Sequence, residues 1–352
     1  MRILIVAGKL PYSSSGVYTL EVVRGLVERG HDVEVVAQGG ALFPRLSEMG
    51  VEVYKQRHNF FSFRRMVNFL REFAPEIIHS TGGSAALDIA HALGRRLAVP
   101  FLHTIHSWLP ENRREVFPNA LAGVIVVNQG LREHLVNDLN LPKARIRVIP
   151  YGVDGARVRL REPTSESDPD RIIGIGTVGR LDEGRRHAEF LEAAAQVRER
   201  LKNVHFVVAG EGPDEPRLRS IARKPPLRDC VTFMQPTHSA EIFNVLDIVV
   251  IVSDWGGVGL SLLDAMVYER PVIVTGSSEV FALLGHADSC VLVPANDRDQ
   301  LANAIVELAT DPARRRQLGR NARQYVLENF PAEAHIAALE DHYSRCLSLS
   351  RV

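Results

Sequence analysis

The chain has 352 residues, 45% of them apolar and 24% charged, and its 42 basic and 42 acidic side chains leave no formal net charge. At about 150 residues per domain this length fits two domains, and the even charge argues against a general nucleic-acid binder, which carries a basic excess. Cys230, Cys290 and Cys346 lie far apart without CxxC spacing, which argues against a disulfide framework or a thiolate zinc site and favours a reducing compartment. No run approaches the about 18 apolar residues of a membrane span, and the first apolar run is too short for a secretion signal. A cytoplasmic globular protein is expected.

Short β-branched runs alternate with helical patterns along the chain. Ile3, Leu4, Ile5 and Val6 predict a buried first strand, and Leu20, Val23 and Val27 give a helical face that Gly30 ends. Further strands are predicted at 33–36, 52–54, 77–79, 101–104, 124–127 and 147–149. Residues 153–171 are polar, contain Pro163 and Pro169, lack periodicity and predict a linker. A second series follows, with strands at 172–178, 206–209, 231–233, 248–252, 272–275 and 291–293. Phe190, Leu191, Ala194 and Val197 mark a helix over 187–201, and 330–349 predicts a closing helix. Strands alternating with helices imply parallel βαβ units. The expected fold class is α/β, with two Rossmann-like doubly wound domains over 1–160 and 171–330, and with 331–352 packing back on the first. Each such sheet opens a ligand crevice at the carboxyl ends of its strands. Two crevices facing each other form a cleft suited to a two-substrate reaction.

Three segments carry chemistry. After the apolar run at 248–252 comes Ser253-Asp254-Trp255-Gly256-Gly257-Val258-Gly259-Leu260, which opens a helix containing Asp264. Free N–H groups near Val258, Gly259 and Leu260 can bind an anion, and Gly257 and Gly259 admit a phosphate close to the backbone. Asp264, about one turn in, can accept both hydroxyls of a ribose. The plainer alternative is a tight turn with a surface aspartate. Gly179-Arg180-Leu181-Asp182-Glu183-Gly184-Arg185 follows the first strand of the second series. Its Arg180 and Arg185 can chelate a diphosphate, or simply face water. Ala209-Gly210-Glu211-Gly212-Pro213 ends another strand and reads, on its own, as an ordinary turn.

In order and spacing these segments resemble the family 4 glycosyltransferases over nearly the whole chain. Ser15-Gly16 stands where that family has a glycine loop, Gly30-His31-Asp32-Val33-Glu34-Val35 matches its second strand, and Ile78-His79-Ser80-Thr81 and Thr104-Ile105-His106 match two strand ends. Val148-Ile149-Pro150-Tyr151-Gly152-Val153-Asp154, the Arg180 loop and Gly256 to Ile273 complete the match. The resemblance implies a GT-B fold and transfer of a sugar, with retention, from a nucleotide-diphosphate sugar to an acceptor hydroxyl. It implies no cofactor or metal, and favours a UDP or GDP donor. The implied catalytic set is His106, Arg180 and Arg185. Donor contacts would come from Gly16, Arg180, Arg185, Gly257, Val258, Gly259, Leu260 and Asp264, and the base would lie near Met234, Gln235 and Pro236.

The chain departs from the family where two glutamates are expected: Gly256 replaces the first and Asp264 the second. Asp254 and Glu279 are the candidate substitutes for the lost sugar contact. A catalytically weak nucleotide-sugar-binding protein or partner subunit, or a nucleotide-sugar epimerase on the same fold, are the alternatives. The acceptor would be a carbohydrate, a lipid-linked molecule or another small molecule. Two DxD triplets, at 168–170 and 297–299, read as solvated turns, so no metal site is expected. Residues 55–73 mix Arg57, Arg64, Arg65 and Arg71 with Phe60, Phe61, Phe63, Phe69 and Phe73. That segment predicts either peripheral contact with the inner face of a membrane or an ordinary helix whose phenylalanines fill the core.

Overall fold

The computed structural model describes residues 1–10, 12–56, 60–108, 121–160, 171–235, 238–252, 259–276, 284 and 288–349. Among these, thirteen strands form two sheets. The first contains β1 (Arg2–Val6), β2 (Asp32–Ala37), β3 (Glu52–Lys55), β4 (Ile77–Ser80), β5 (Phe101–Ile105), β6 (Leu121–Val126) and β7 (Ile146–Val148), in the order β3-β2-β1-β4-β5-β6-β7. The second contains β8 (Ile173–Val178), β9 (Val204–Ala209), β10 (Val231–Met234), β11 (Ile248–Ile251), β12 (Val272–Gly276) and β13 (Val291–Pro294), in the order β10-β9-β8-β11-β12-β13. Every pairing is parallel. Each strand expected from the sequence forms. The largest difference in bounds is at β6, which begins at Leu121; Ala122 and Gly123 hide that start because neither favours a strand. A Cβ at Gly123 would come within 3.1 Å of the His342 ring, so a larger residue there would press on the closing helix.

Parallel strands are joined by crossover helices, so both faces of each sheet are covered. Every residue of β4 and of β5 is accordingly buried. Helix ends follow local rules. Ser13 caps the helix Ser14–Glu28 by accepting from the Gly16 N–H, and Gly30, at φ +79°, closes its other end with bonds from Gly30 N to Val27 O and from His31 N to Leu26 O. Asp297 caps the helix Arg298–Thr310 by accepting from Gln300 N at 2.9 Å, which accounts for one of the two DxD triplets.

The chain divides into two compact units, Met1–Gly152 with Ala332–Val352, and Val153–Pro331. Residues beyond Gly152 join the second unit because Val153 N bonds Phe330 O and Arg323 reaches the Gly155 carbonyl. The closing helix, Ala332–Leu349, packs in the first unit on Ser14–Glu28, where a Cβ on Gly25 would come within 2.5 Å of Ile336. Each unit has its own core; that of the second is built from Ile175, Phe190, Phe206, Val208, Ile248, Val250, Ile273 and Leu301, among others. Among the described residues no helix is long and apolar enough to cross a membrane.

One contact in the second unit bears on the site. The helix Pro312–Asn329 crosses the end of Leu260–Val267 at Gly319, where a Cβ would meet the Glu269 carbonyl oxygen at 2.2 Å. Arg323 reinforces the crossing by donating to the Val267 carbonyl. Gly319→Ala adds about 1 kcal/mol of helix propensity but forces the two backbones apart, so a net loss of about 1–3 kcal/mol is expected. Thermal unfolding of the variant checks this; a raised midpoint would refute the crossing.

Candidate functional site

The second sheet reverses its strand order between β8 and β11: from β8 the chain winds outward through β9 to β10, and from β11 through β12 to β13. Open parallel sheets bind ligands at the carboxyl ends of strands at such a reversal. The Arg180 loop follows β8, and Gly259, at the start of the helix Leu260–Val267, follows β11. Two of the sequence-predicted segments therefore lie at the ends of adjacent strands.

The Arg180 loop is held from several sides. Leu181 is fully buried. Gly179 N bonds Ala209 O at 3.0 Å, Leu181 N bonds Glu211 O at 2.9 Å, and Asp214 N bonds Leu181 O at 2.9 Å. The turn after β9 thus serves as a buttress for the loop. Its glycines make that possible: a Cβ on Gly210 would meet the Gly179 carbonyl at 1.8 Å, and one on Gly212 the Leu181 carbonyl at 2.2 Å. His187 supplies a further hold. Its Nε2 donates to the Arg180 carbonyl at 3.0 Å, which leaves Nδ1 to accept from the Thr177 hydroxyl at 3.2 Å. Burial lowers its pKa and keeps the ring neutral. The sequence does not point to His187, which offers only its spacing three residues after Gly184, and it marks the turn after β9 without showing that it holds the Arg180 loop.

With the backbone pinned, the two arginines remain available. The Arg180 side chain is 67% exposed, with Nε 3.3 Å from Asp182. Arg185 is half-buried, and its backbone N–H bonds the Asp182 carbonyl at 3.1 Å, which fixes where its side chain leaves the loop. Across at β11, Gly259 is the N-cap and offers no side-chain cap. Its carbonyl accepts from Leu262 and Leu263, so the N–H groups before Leu262 have no acceptor within the helix. A Cβ at Gly259 would touch none of the described residues within 4 Å. Leu260 is only 5% exposed; its side chain belongs to the core, and only its N–H can serve a ligand. Asp264 accepts a hydrogen bond from the Ser239 hydroxyl at 3.2 Å. Asp254, Gly256, Gly257, Val258, Glu279 and Pro236 lie outside the described residues. Among the described residues no cluster of side chains is arranged to hold a metal ion.

Gly16 and His106 belong to the first unit. Gly16 is buried in the first turn of Ser14–Glu28, after β1. His106 follows β5 and is committed at both nitrogens: Nε2 donates to the Thr81 carbonyl at 2.9 Å, and Nδ1 accepts from Tyr151 at 2.9 Å. Its ring lies parallel to that of Tyr151, and Tyr18 meets it edge-on at 4.7 Å. Burial among these rings pushes its pKa down to about 4. The strand end at His79 also points inward. His79 bonds Tyr343 of the closing helix and Thr104, both at 2.6 Å.

The helix Phe60–Phe73 differs from the expectation of a core filled by its phenylalanines. Met66, Val67 and Leu70 are buried, whereas among the described side chains Phe63, Phe69 and Phe73 are not. Phe69 is 42% exposed, stacked with Tyr54 and covered by Arg65, while Arg96 lies over Phe63. Arg57 lies outside the described residues.

A family model described as Glycosyltransferase Family 4 matches residues 15–157, and a second, described as glycosyl transferases group 1, matches residues 173–311. The chain belongs to the family 4 glycosyltransferases. It is similar to the alpha-D-kanosaminyltransferase of Streptomyces kanamyceticus, at 24% identity over 69% of this chain and 70% of that one. An uncharacterized glycosyltransferase of Methanocaldococcus jannaschii is 22% identical over 94% of each. Among solved structures, Anabaena Alr3699/HepE in complex with UDP-glucose superposes with a TM-score of 0.82 at 16% identity, over 98% of this chain and 100% of that one. The fold of this glycosyltransferase is therefore GT-B.

The buried imidazoles make the first unit sensitive to acid. Burial lowers the pKa of His79 well below its usual value, that of His103 to about 3 and that of His335 to about 4. Unfolded histidine titrates near 6.5. A group depressed in the fold stabilises fully above that value, and the contribution is lost as pH falls toward the folded pKa, by up to about 1.4 kcal/mol per pH unit per ring. The unfolding midpoint should be level from pH 8 to 7 and fall steadily from 6.5 to 4. A flat profile across that window would contradict neutral burial.

Proposed function

We propose that this glycosyltransferase moves a sugar from a nucleotide-diphosphate sugar to an acceptor hydroxyl with retention of anomeric configuration and without a metal ion. One observation carries the reading: two available arginines and an uncapped helix start follow adjacent strands where the sheet order reverses. As the bond from the anomeric carbon to the diphosphate breaks, charge gathers on the leaving phosphate. Arg180, Arg185 and the N–H groups after Gly259 are the donors that offset it. The acceptor oxygen bonds the anomeric carbon on the face the diphosphate leaves, and its proton passes to the departing phosphate. Asp264 holds the ribose, and Gly16 lets the first unit's loop approach the phosphates. Gly257, Val258, Asp254 and Glu279 belong to the same proposal through their positions beside Gly259 and after β12. His106 bonds the donor sugar only by releasing Tyr151 or the Thr81 carbonyl, so its contribution is the smallest of the set. A UDP or GDP sugar is the expected donor, and the acceptor is a carbohydrate or a lipid-linked sugar. UDP-glucose in the Anabaena structure supports the choice of donor class.

Arg180→Ala and Arg185→Ala should each weaken nucleoside-diphosphate binding about 10- to 100-fold, the loss of one charge-assisted contact. Calorimetry with UDP and GDP reads this, and unchanged affinity in both variants removes the site. Turnover of UDP-glucose and GDP-mannose, followed by NMR, should give an anomer of unchanged configuration at a rate that a chelator does not alter. An inverted product excludes retention. Donor isomerised without acceptor favours the epimerase alternative, and binding without turnover favours the binding-protein alternative.

Contact of the helix Phe60–Phe73 with an anionic membrane belongs to the same proposal, supported by exposed Arg64, Arg65 and Arg71 beside exposed Phe69. Binding to phosphatidylglycerol vesicles should weaken several-fold in Arg65→Glu. Equal binding to neutral vesicles would count against it.

A further inference from the structure

The family position of the second glutamate holds an aspartate here, one methylene shorter. A carboxylate that draws back from a ligand leaves an unfilled contact unless another group fills it. Ser239 is the group at hand. It opens the short helix Ser239–Phe243, between β10 and β11, and its hydroxyl donates to Asp264 Oδ2 at 3.2 Å. Both residues are half-buried and so remain partly open to solvent. The pairing is set by the fold. His238 Nδ1 accepts from Ala240 N at 3.0 Å, fixing the start of the short helix. Phe243 stacks on Tyr268, one turn beyond Asp264, with ring centroids 5.4 Å apart. The short helix and the helix Leu260–Val267 are thus locked together at both ends of the contact.

A serine hydroxyl is donor and acceptor at once, whereas a carboxylate only accepts. Neighbouring oxygens from two elements suit the two neighbouring hydroxyls of a cis-diol, each of which can donate to one of them. We propose that Ser239 and Asp264 act as one unit that reads the ribose cis-diol of the donor nucleotide, Ser239 filling the reach that aspartate lacks. This makes Ser239 a specificity-determining residue. The inference rests on the proposed nucleotide site, and its failure can be told apart from the failure of that site.

The test is calorimetric binding of UDP, GDP and ADP, each paired with its 2′-deoxy counterpart, to the full chain and to Ser239→Ala, Ser239→Thr and Asp264→Asn. The wild type should prefer at least one ribonucleotide about tenfold or more, the worth of one such hydrogen bond. In Ser239→Ala that preference should fall at least threefold, with affinity for the deoxynucleotide within about twofold of wild type. Ser239→Thr keeps the hydroxyl and should restore most of the preference, which a fold defect would not allow. Asp264→Asn should lose preference as well. If Asp264→Asn loses it and Ser239→Ala keeps it, the inference is overturned while the nucleotide site stands. If neither variant changes it, the ribose role of Asp264 falls too. If no nucleoside diphosphate binds the wild type, the proposed function itself is overturned.

Discussion

The parallel arrangement of both sheets governs everything else in this protein. A parallel pair cannot be closed by a tight turn; each connection has to cross a face of the sheet, and the crossing helices bury both faces. Groups that meet a ligand are thereby left to the strand ends. Reversal of strand order between β8 and β11 leaves two neighbouring strand ends whose following helices diverge. The Arg180 loop and the helix start at Gly259 emerge at that place.

Loops at strand ends are functional only if held. Here the holding is done by residues without reactive side chains. Gly210 and Gly212 let the turn after β9 press against the Arg180 loop with its own carbonyls and amides. His187 ties the same loop, through the Arg180 carbonyl, to Thr177 at the end of β8. Gly319 brings a distant helix down onto the end of Leu260–Val267. A fixed backbone lets exposed arginines act as preorganised charges, because little reorganisation is needed when an anion arrives.

The first unit uses its polar groups differently. His79, His103 and His335 are buried, neutral and bonded to neighbours, and two of them tie the closing helix to the strands or to the segment before Gly152. Tyr151, where the family has asparagine, turns His106 into part of the same network. A histidine at a strand end looks reactive in one dimension. Only its partners distinguish a ligand-facing imidazole from one that cements a core, and Tyr343 and Thr81 are remote from His79 and His106 in the chain.

The sequence by itself determined the strands, their parallel pairing and the place of the Arg180 and Gly259 segments, because these depend on local periodicity and on glycine and apolar punctuation within a few residues. It also carried the family through the order of its motifs. Tertiary structure alone decided the rest. That Met66, Val67 and Leu70 are buried while Phe63, Phe69 and Phe73 are not depends on how one helix rotates against its sheet. That an apparent turn at Gly210 is a buttress, and that Ser239 meets Asp264, depends on contacts between segments separated in the chain. Such contacts leave no periodic trace, since a hydrogen bond between distant residues constrains their positions in space and not their spacing in sequence.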